Sequence, residues 1–260
     1  QHNTMSNTLK DLLCSTCKVI TPKVHPEGIK FILIFALVTV ILSMLSSFLG
    51  AIALILTIWC IYFFRDPERF TPSGDNLVIS PADGIVSEIS KDQNPPKDLD
   101  LDKKQKWQKI SIFLNVFNVH VNRVPISGKI TNVEYKEGKF LNANLKEAST
   151  HNEQNVAVVK TKNDQEVIFV QVAGLIARRI VSNLEEDQEV TSGDRYGIIR
   201  FGSRADIYLP EKTKIKVLEG QIMVGGETVL AELSNAKIAI KTSTKPITTK
   251  SADTKTTAKK

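Results

Sequence analysis

Cysteine is scarce in this chain. Cys14, Cys17 and Cys60 are the three among 260 residues, so no disulfide framework can close without a remainder, and a reducing compartment is the simpler setting. Cys14 and Cys17 form a lone C-x-x-C with no second pair at ribbon spacing, which leaves a four-ligand zinc site incomplete. Histidine is limited to four residues. Neither His120 nor His151 has a second histidine at helical or strand spacing, and H-E-x-x-H is absent, so a zinc hydrolase is short of ligands and no metal is expected. No long amphipathic helical pattern competes with short β-type segments. Charge is missing altogether from residues 31–64.

That uncharged run, FILIFALVTVILSMLSSFLGAIALILTIWCIYFF, is 34 residues long. As one helix it would reach roughly 50 Å, against roughly 30 Å of bilayer hydrocarbon. Two short passes are therefore expected, bending near Ser46, Ser47 and Gly50, with a re-entrant hairpin as the alternative. Lys23 and Lys30 flank one end and Arg65 and Arg69 the other, which favours both ends on the cytoplasmic side of the cell (inner) membrane. A signal peptide fits poorly, because its apolar core would be shorter and followed by small residues. Lys and Arg together number 34 against 28 acidic residues, a net charge of +6, and much of the excess lies at the chain ends.

From about residue 77 the pattern changes to short segments rich in β-branched residues, at 84–89, 109–114, 128–135, 155–162, 166–172, 196–201, 204–209 and 222–233, separated by turn signals such as Ser192-Gly193-Asp194. One short helix is expected at 175–183. The fold expected is a mostly β (α+β) catalytic domain, barrel-sandwich-like, preceded by an N-terminal membrane-embedded helical hairpin. The corresponding division is a basic N-terminal segment over 1–30, an anchor over 31–64, a β-rich domain over 65–244, and a Lys/Thr-rich disordered tail over 245–260.

Three strings in the β domain carry reactive groups: Pro81-Ala82-Asp83-Gly84, the run from Asn118 to Pro125 containing His120, and Arg200-Phe201-Gly202-Ser203-Arg204. Taken singly each has a bland reading: a hairpin turn, a packed histidine, a chance Gly-Ser pair. Together they offer a carboxylate, an imidazole and a hydroxyl, the set that activates a serine. Gly202 tolerates backbone conformations closed to other residues and leaves its carbonyl open to the neighbouring Oγ.

The strings SPADG, FLNVFNVHVNRVPISGKI and DRYGIIRFGSRADIYLP, in this order and spacing, resemble the phosphatidylserine decarboxylase family, in particular its short branch. The resemblance implies self-cleavage between Gly202 and Ser203, a covalent pyruvoyl cofactor derived from Ser203, and a heterodimer of chains 1–202 and 203–260. It implies His120 as general base with Asp83 holding it, and conversion of phosphatidylserine to phosphatidylethanolamine and CO2 at an anionic membrane. Asn152 and Glu153 resemble the family's Asn-Glu element and are candidate substrate contacts, as is Arg204; Arg178, Arg179 and Arg200 are further candidates to meet a phosphate. Two departures stand out: Arg123 replaces the second histidine of longer members, and Phe201-Gly202-Ser203-Arg204 replaces Leu-Gly-Ser-Thr. No nucleic-acid partner is implied, and a homo-oligomer is left open.

The main alternative is a membrane-tethered, non-catalytic barrel-sandwich binding or carrier module. That would need a modifiable lysine at a hairpin tip, and the Ser192-Gly193-Asp194 tip has none.

Overall fold

The computed structural model describes residues 23–96, 99, 105–138, 152–174, 179–200 and 203–234. The expected tail at 245–260, most of the N-terminal segment, Cys14, Cys17 and Gly202 lie outside the described residues.

The uncharged run forms two helices, α1 (Pro26–Leu45) and α2 (Ser47–Phe63). Helix α1 starts five residues before the run does, because Pro26 occupies its first turn, where no N–H is needed, and the His25 side chain accepts from the Glu27 N–H. The break falls on Ser46, whose backbone is extended at φ −159° and ψ 132°. Helix α1 has 20 residues and so reaches about 30 Å. Most large apolar side chains on both helices point outward; Leu33, Leu37 and Phe48 are exposed. The helices touch through small residues. A Cβ on Gly50 would lie 2.3 Å from Ser43 Oγ, and Thr39 and Thr57 share a 2.8 Å hydrogen bond. Strands β1 (Lys23–Val24) and β2 (Arg65–Asp66) pair antiparallel and close the base of the hairpin.

The rest is mostly β. Eight antiparallel strands form one curled sheet. Its members in chain order are β4 (Gly84–Gln93), β5 (Trp107–Leu114), β7 (Gly128–Lys136), β8 (Gln154–Lys160), β9 (Glu166–Val172), β11 (Glu189–Val190), β13 (Ser203–Pro210) and β15 (Ile222–Met223). Across the sheet they run β11-β7-β8-β9-β13-β5-β4-β15. Two three-stranded sheets complete the domain. One comprises β10 (Ile180–Ser182), β12 (Arg195–Ile199) and β6 (Val121–Arg123); the other comprises β14 (Lys214–Ile215), β16 (Val229–Glu232) and β3 (Leu77–Ile79).

The central strands are buried on both faces. Ala157, Val159, Val167, Phe169, Ile207 and Leu209 face the larger core, while Val156, Val158, Ile168, Val170 and Tyr208 face a second one containing Trp107. Side chains alternate along each strand, so β8, β9 and β13 present near-continuous apolar runs.

Two expectations change. Residues 180–182 of the expected helix are strand β10, because β-branched Ile180 and Val181 pair with Ile199 and Ile198 across the small sheet; residues 175–178 are outside the described set. The expected strand at 222–233 is split into β15 and β16 by a turn at Gly225 and Gly226, where Gly226 has φ 81°.

Candidate active site

Ser203 is the first residue of β13, paired opposite Leu114, and has no exposed surface. Its Oγ has no hydrogen-bond partner among the described residues. A hydroxyl buried without a partner costs roughly 1–3 kcal/mol.

His120 directly precedes β6. The turn before it is built by asparagines: Asn115 Oδ1 accepts from the Phe117 N–H at 2.8 Å, and Asn118 Oδ1 accepts from the Asn115 N–H at 2.9 Å. This turn aims the Asn118 carbonyl at His120 Nδ1, 2.9 Å away. A carbonyl only accepts, so Nδ1 carries the proton and Nε2 holds a lone pair. Nε2 is buried and has no partner among the described residues. Burial lowers the imidazole pKa to about 4, against a raising effect from the Asn118 carbonyl and with a further lowering from Arg65. At neutral pH His120 is an unprotonated base. Phe63, at the end of α2, covers it with ring centroids 4.3 Å apart, and Cys60, Phe63 and Phe64 pack with Val119, Val121 and Ile198. The base of the apolar hairpin is thus one wall of the site.

The Ile199 N–H donates to the His120 carbonyl at 3.3 Å, so the β6–β12 pairing sets His120 beside the end of β12, four residues before Ser203. Arg200 in this connection pairs with Glu27 at the start of α1 and lies over the Phe31 ring.

Asp83 is not hydrogen-bonded to His120 in this structure. Its carboxylate takes Arg69 at 2.9 Å and the Gly225 N–H at 2.7 Å, while Nδ1 of His120 is held by Asn118. The reason is local: Arg69 arrives on the collar after the hairpin and supplies a charge-assisted partner that a neutral imidazole cannot match. Asn152 and Glu153 are buried and brace the neighbouring backbone. Asn152 Nδ2 donates to the Ala173 carbonyl at 2.7 Å, and Glu153 Oε1 accepts from the Ile180 N–H at 3.0 Å. Arg204 alternates to the face opposite Ser203 and binds Asp206, with Nε and Oδ1 2.8 Å apart. Arg123, at the departure from the longer members, is structural too, donating to the Gly193 and Pro67 carbonyls at 2.9 Å each. Arg179 is exposed, and Arg178 and His151 lie outside the described residues.

Comparison with known proteins gives the same family as the motifs. The family model for phosphatidylserine decarboxylase matches residues 56–231. This chain belongs to the phosphatidylserine decarboxylase family. The phosphatidylserine decarboxylase proenzyme of Rickettsia typhi is 54% identical over 214 residues, covering 82% of this chain and 92% of the relative. That of Rickettsia akari is 54% identical over 216 residues, covering 83% and 93%, and that of Rickettsia bellii is 53% identical over 216 residues.

The reading from motifs missed three residues of this site. Asn122, Gln171 and Asn155 are buried, joined side chain to side chain, and lie on the same side of the fold as Ser203. The available signal was Gln171, a polar residue at an inward position of the apolar run VIFVQVA.

Proposed function

We propose that this chain is a self-processing phosphatidylserine decarboxylase that cuts its own backbone between Gly202 and Ser203 and works on lipid at the membrane into which its hairpin inserts. The carrying observation is the pair of buried, unpartnered atoms, Ser203 Oγ and His120 Nε2. One is a nucleophile with its proton unengaged, and the other is a base with its lone pair unengaged.

His120 takes the Oγ proton as Oγ adds to the Gly202 carbonyl. Collapse breaks the Gly202–Ser203 amide and returns a proton to the Ser203 nitrogen, leaving an ester. Loss of the Ser203 Cα proton expels the Gly202 carboxylate and creates a dehydroalanine. Its hydrolysis releases ammonia and leaves a pyruvoyl cap, so each cut consumes one water overall.

The buried Ser203 position suits such a group, and the neutral base His120 lies just before β6, beside the end of β12. When formed, it takes up an amine and withdraws the electron pair left as CO2 departs. His120 remains in the same enclosure, shielded from water by Phe63, to hold or deliver a proton. The product chains, 1–202 and 203–260, stay together because β13 lies between β9 and β5 in the sheet.

The hairpin supports the lipid reading. Its outward side chains are apolar, helix α1 matches the hydrocarbon thickness, and its base is a wall of the site. Lys23 and Arg65 at that base favour the cytoplasmic side of the inner membrane, with residues 65–244 as the catalytic domain. Anionic headgroups would meet the same base.

Intact mass and denaturing electrophoresis of the purified chain beside Ser203→Ala test the reading. The wild type is expected to resolve into fragments 1–202 and 203–260, the smaller blocked at its N-terminus, and to release CO2 from phosphatidylserine in mixed micelles. Ser203→Ala is expected to remain one chain of 28.9 kDa and to be inactive. A folded wild type that stays whole would defeat the proposal.

A further inference from the structure

Strand register and one side-chain bond set a third polar group over the sheet face that carries Ser203. Asn155, Gln171 and Ala205 are directly paired across β8, β9 and β13, so their side chains share a sheet face. Ser203 is two residues before Ala205 and lies on that face as well. Asn155 Nδ2 donates to Gln171 Oε1 at 3.1 Å, and Gln171 Nε2 donates to Asn122 Oδ1 at 2.8 Å. The second bond brings β6 over this face. His120 is two residues before Asn122 in the chain. Asn122 is fully buried, and its Nδ2 has no partner among the described residues. Gly197, paired with Asn122, leaves room for this layer: a Cβ there would sit 2.2 Å from the Val181 carbonyl and 3.2 Å from Gln171 Nε2.

Two amides therefore hold a third, over the sheet face that carries Ser203 and on the strand that follows His120, with its Nδ2 left unpartnered among the described residues. An unpaired buried amide is costly. A serine that attacks an amide builds negative charge on the carbonyl oxygen, and preorganised N–H donors aimed at that charge are the most effective single aid to such a step. The geometry points to Asn122 as the donor, through Nδ2–H, to the oxyanion formed when Ser203 Oγ adds to the Gly202 carbonyl, with Gln171 and Asn155 as its positioning residues. This inference rests on the self-cleavage reading.

The test is Asn122→Asp, which keeps Oδ1 for Gln171 and exchanges the donor for a carboxyl that donates only when protonated. Cleavage of freshly folded protein is followed by gel from about pH 8 to about pH 5. At the upper end N122D is expected to cut about 10²–10³-fold more slowly than wild type. The deficit is expected to narrow at least roughly tenfold towards the lower end, as the buried carboxyl takes up a proton. Urea midpoints of the uncut S203A and S203A/N122D chains are expected to differ most at the upper end, where the buried carboxyl is charged, and to converge towards the lower end. An unchanged rate, a deficit that stays constant with pH, or an S203A/N122D chain that is already unfolded without urea overturns the role of Asn122. A wild type that does not cut defeats the parent reading instead, so the two failures are distinct.

Discussion

The two ends of one sheet face are equally buried and built on opposite principles. At one end Ala157, Val159, Phe169, Ile207 and Leu209 pack into the main core with Tyr196 edge-on to Phe169, ring centroids 5.1 Å apart. At the other, Asn155, Gln171 and Ser203 occupy the same inward positions on the same three strands. The apolar end gains from burial in proportion to area. The polar end gives up stability to keep a hydroxyl, an imidazole and an amide dry and unspent. The apolar end supplies the rigidity that the polar end needs, because Ser203 and Ile207 belong to one strand.

The widest break in this comparison comes from truncating the apolar end. Ile207 is fully buried, and Ile207→Ala in an uncut S203A background is expected to lower unfolding free energy by about 2–5 kcal/mol, read as a lower urea midpoint at unchanged slope. A loss below about 1 kcal/mol would mean that this end of the face is not a close-packed core.

Acid should act on the polar end alone. His120 has its folded pKa lowered to about 4 from 6.5, so between those values the unfolded chain binds a proton that the folded chain refuses. Stability then rises with pH across this window and falls as pH drops through it. The loss attributable to His120 is about 3 kcal/mol once pH reaches the lower limit. Urea midpoints of S203A measured across the window should show this slope, and S203A/His120→Gln should lack it. Equal slopes in both would place the acid sensitivity elsewhere.

Much of the apolar end was legible from residue order, since β-branched alternation between turn signals marks β5, β8, β9 and β13. The hairpin was legible too, because a charge-free run too long for one pass must bend, and Ser46 is where it does. The polar end was only half legible. Ser203 and His120 stood out through motifs. Asn122, Gln171 and Asn155 did not, because one amide within an apolar run reads as a strand irregularity until register shows three of them bonded in a row. The partners of Asp83 and His120 were not legible for a related reason. Arg69, which pairs with Asp83, and the Asn118 carbonyl that holds His120 are both set by tertiary packing, which spacing does not reveal. The strand at 180–182 was missed because three residues are too few to display a period, and only pairing with β12 decides them.

The smallest effect probes how far the polar end extends. Asn155 lies two amides from the unpartnered Nδ2 of Asn122, and its link to Gln171 is a neutral bond of 3.1 Å. Such a bond contributes about 1 kcal/mol. Asn155→Ala should therefore slow cleavage by about fivefold at most, far less than the change at Asn122, and lower the S203A urea midpoint only slightly. Gln171 would keep its donation to Asn122 but lose the contact that fixes its own amide, so the effect is transmitted by position and not by charge. Its signature is a deficit that does not vary with pH, in contrast to N122D. A loss as large as that of N122D would instead make the three amides one cooperative unit.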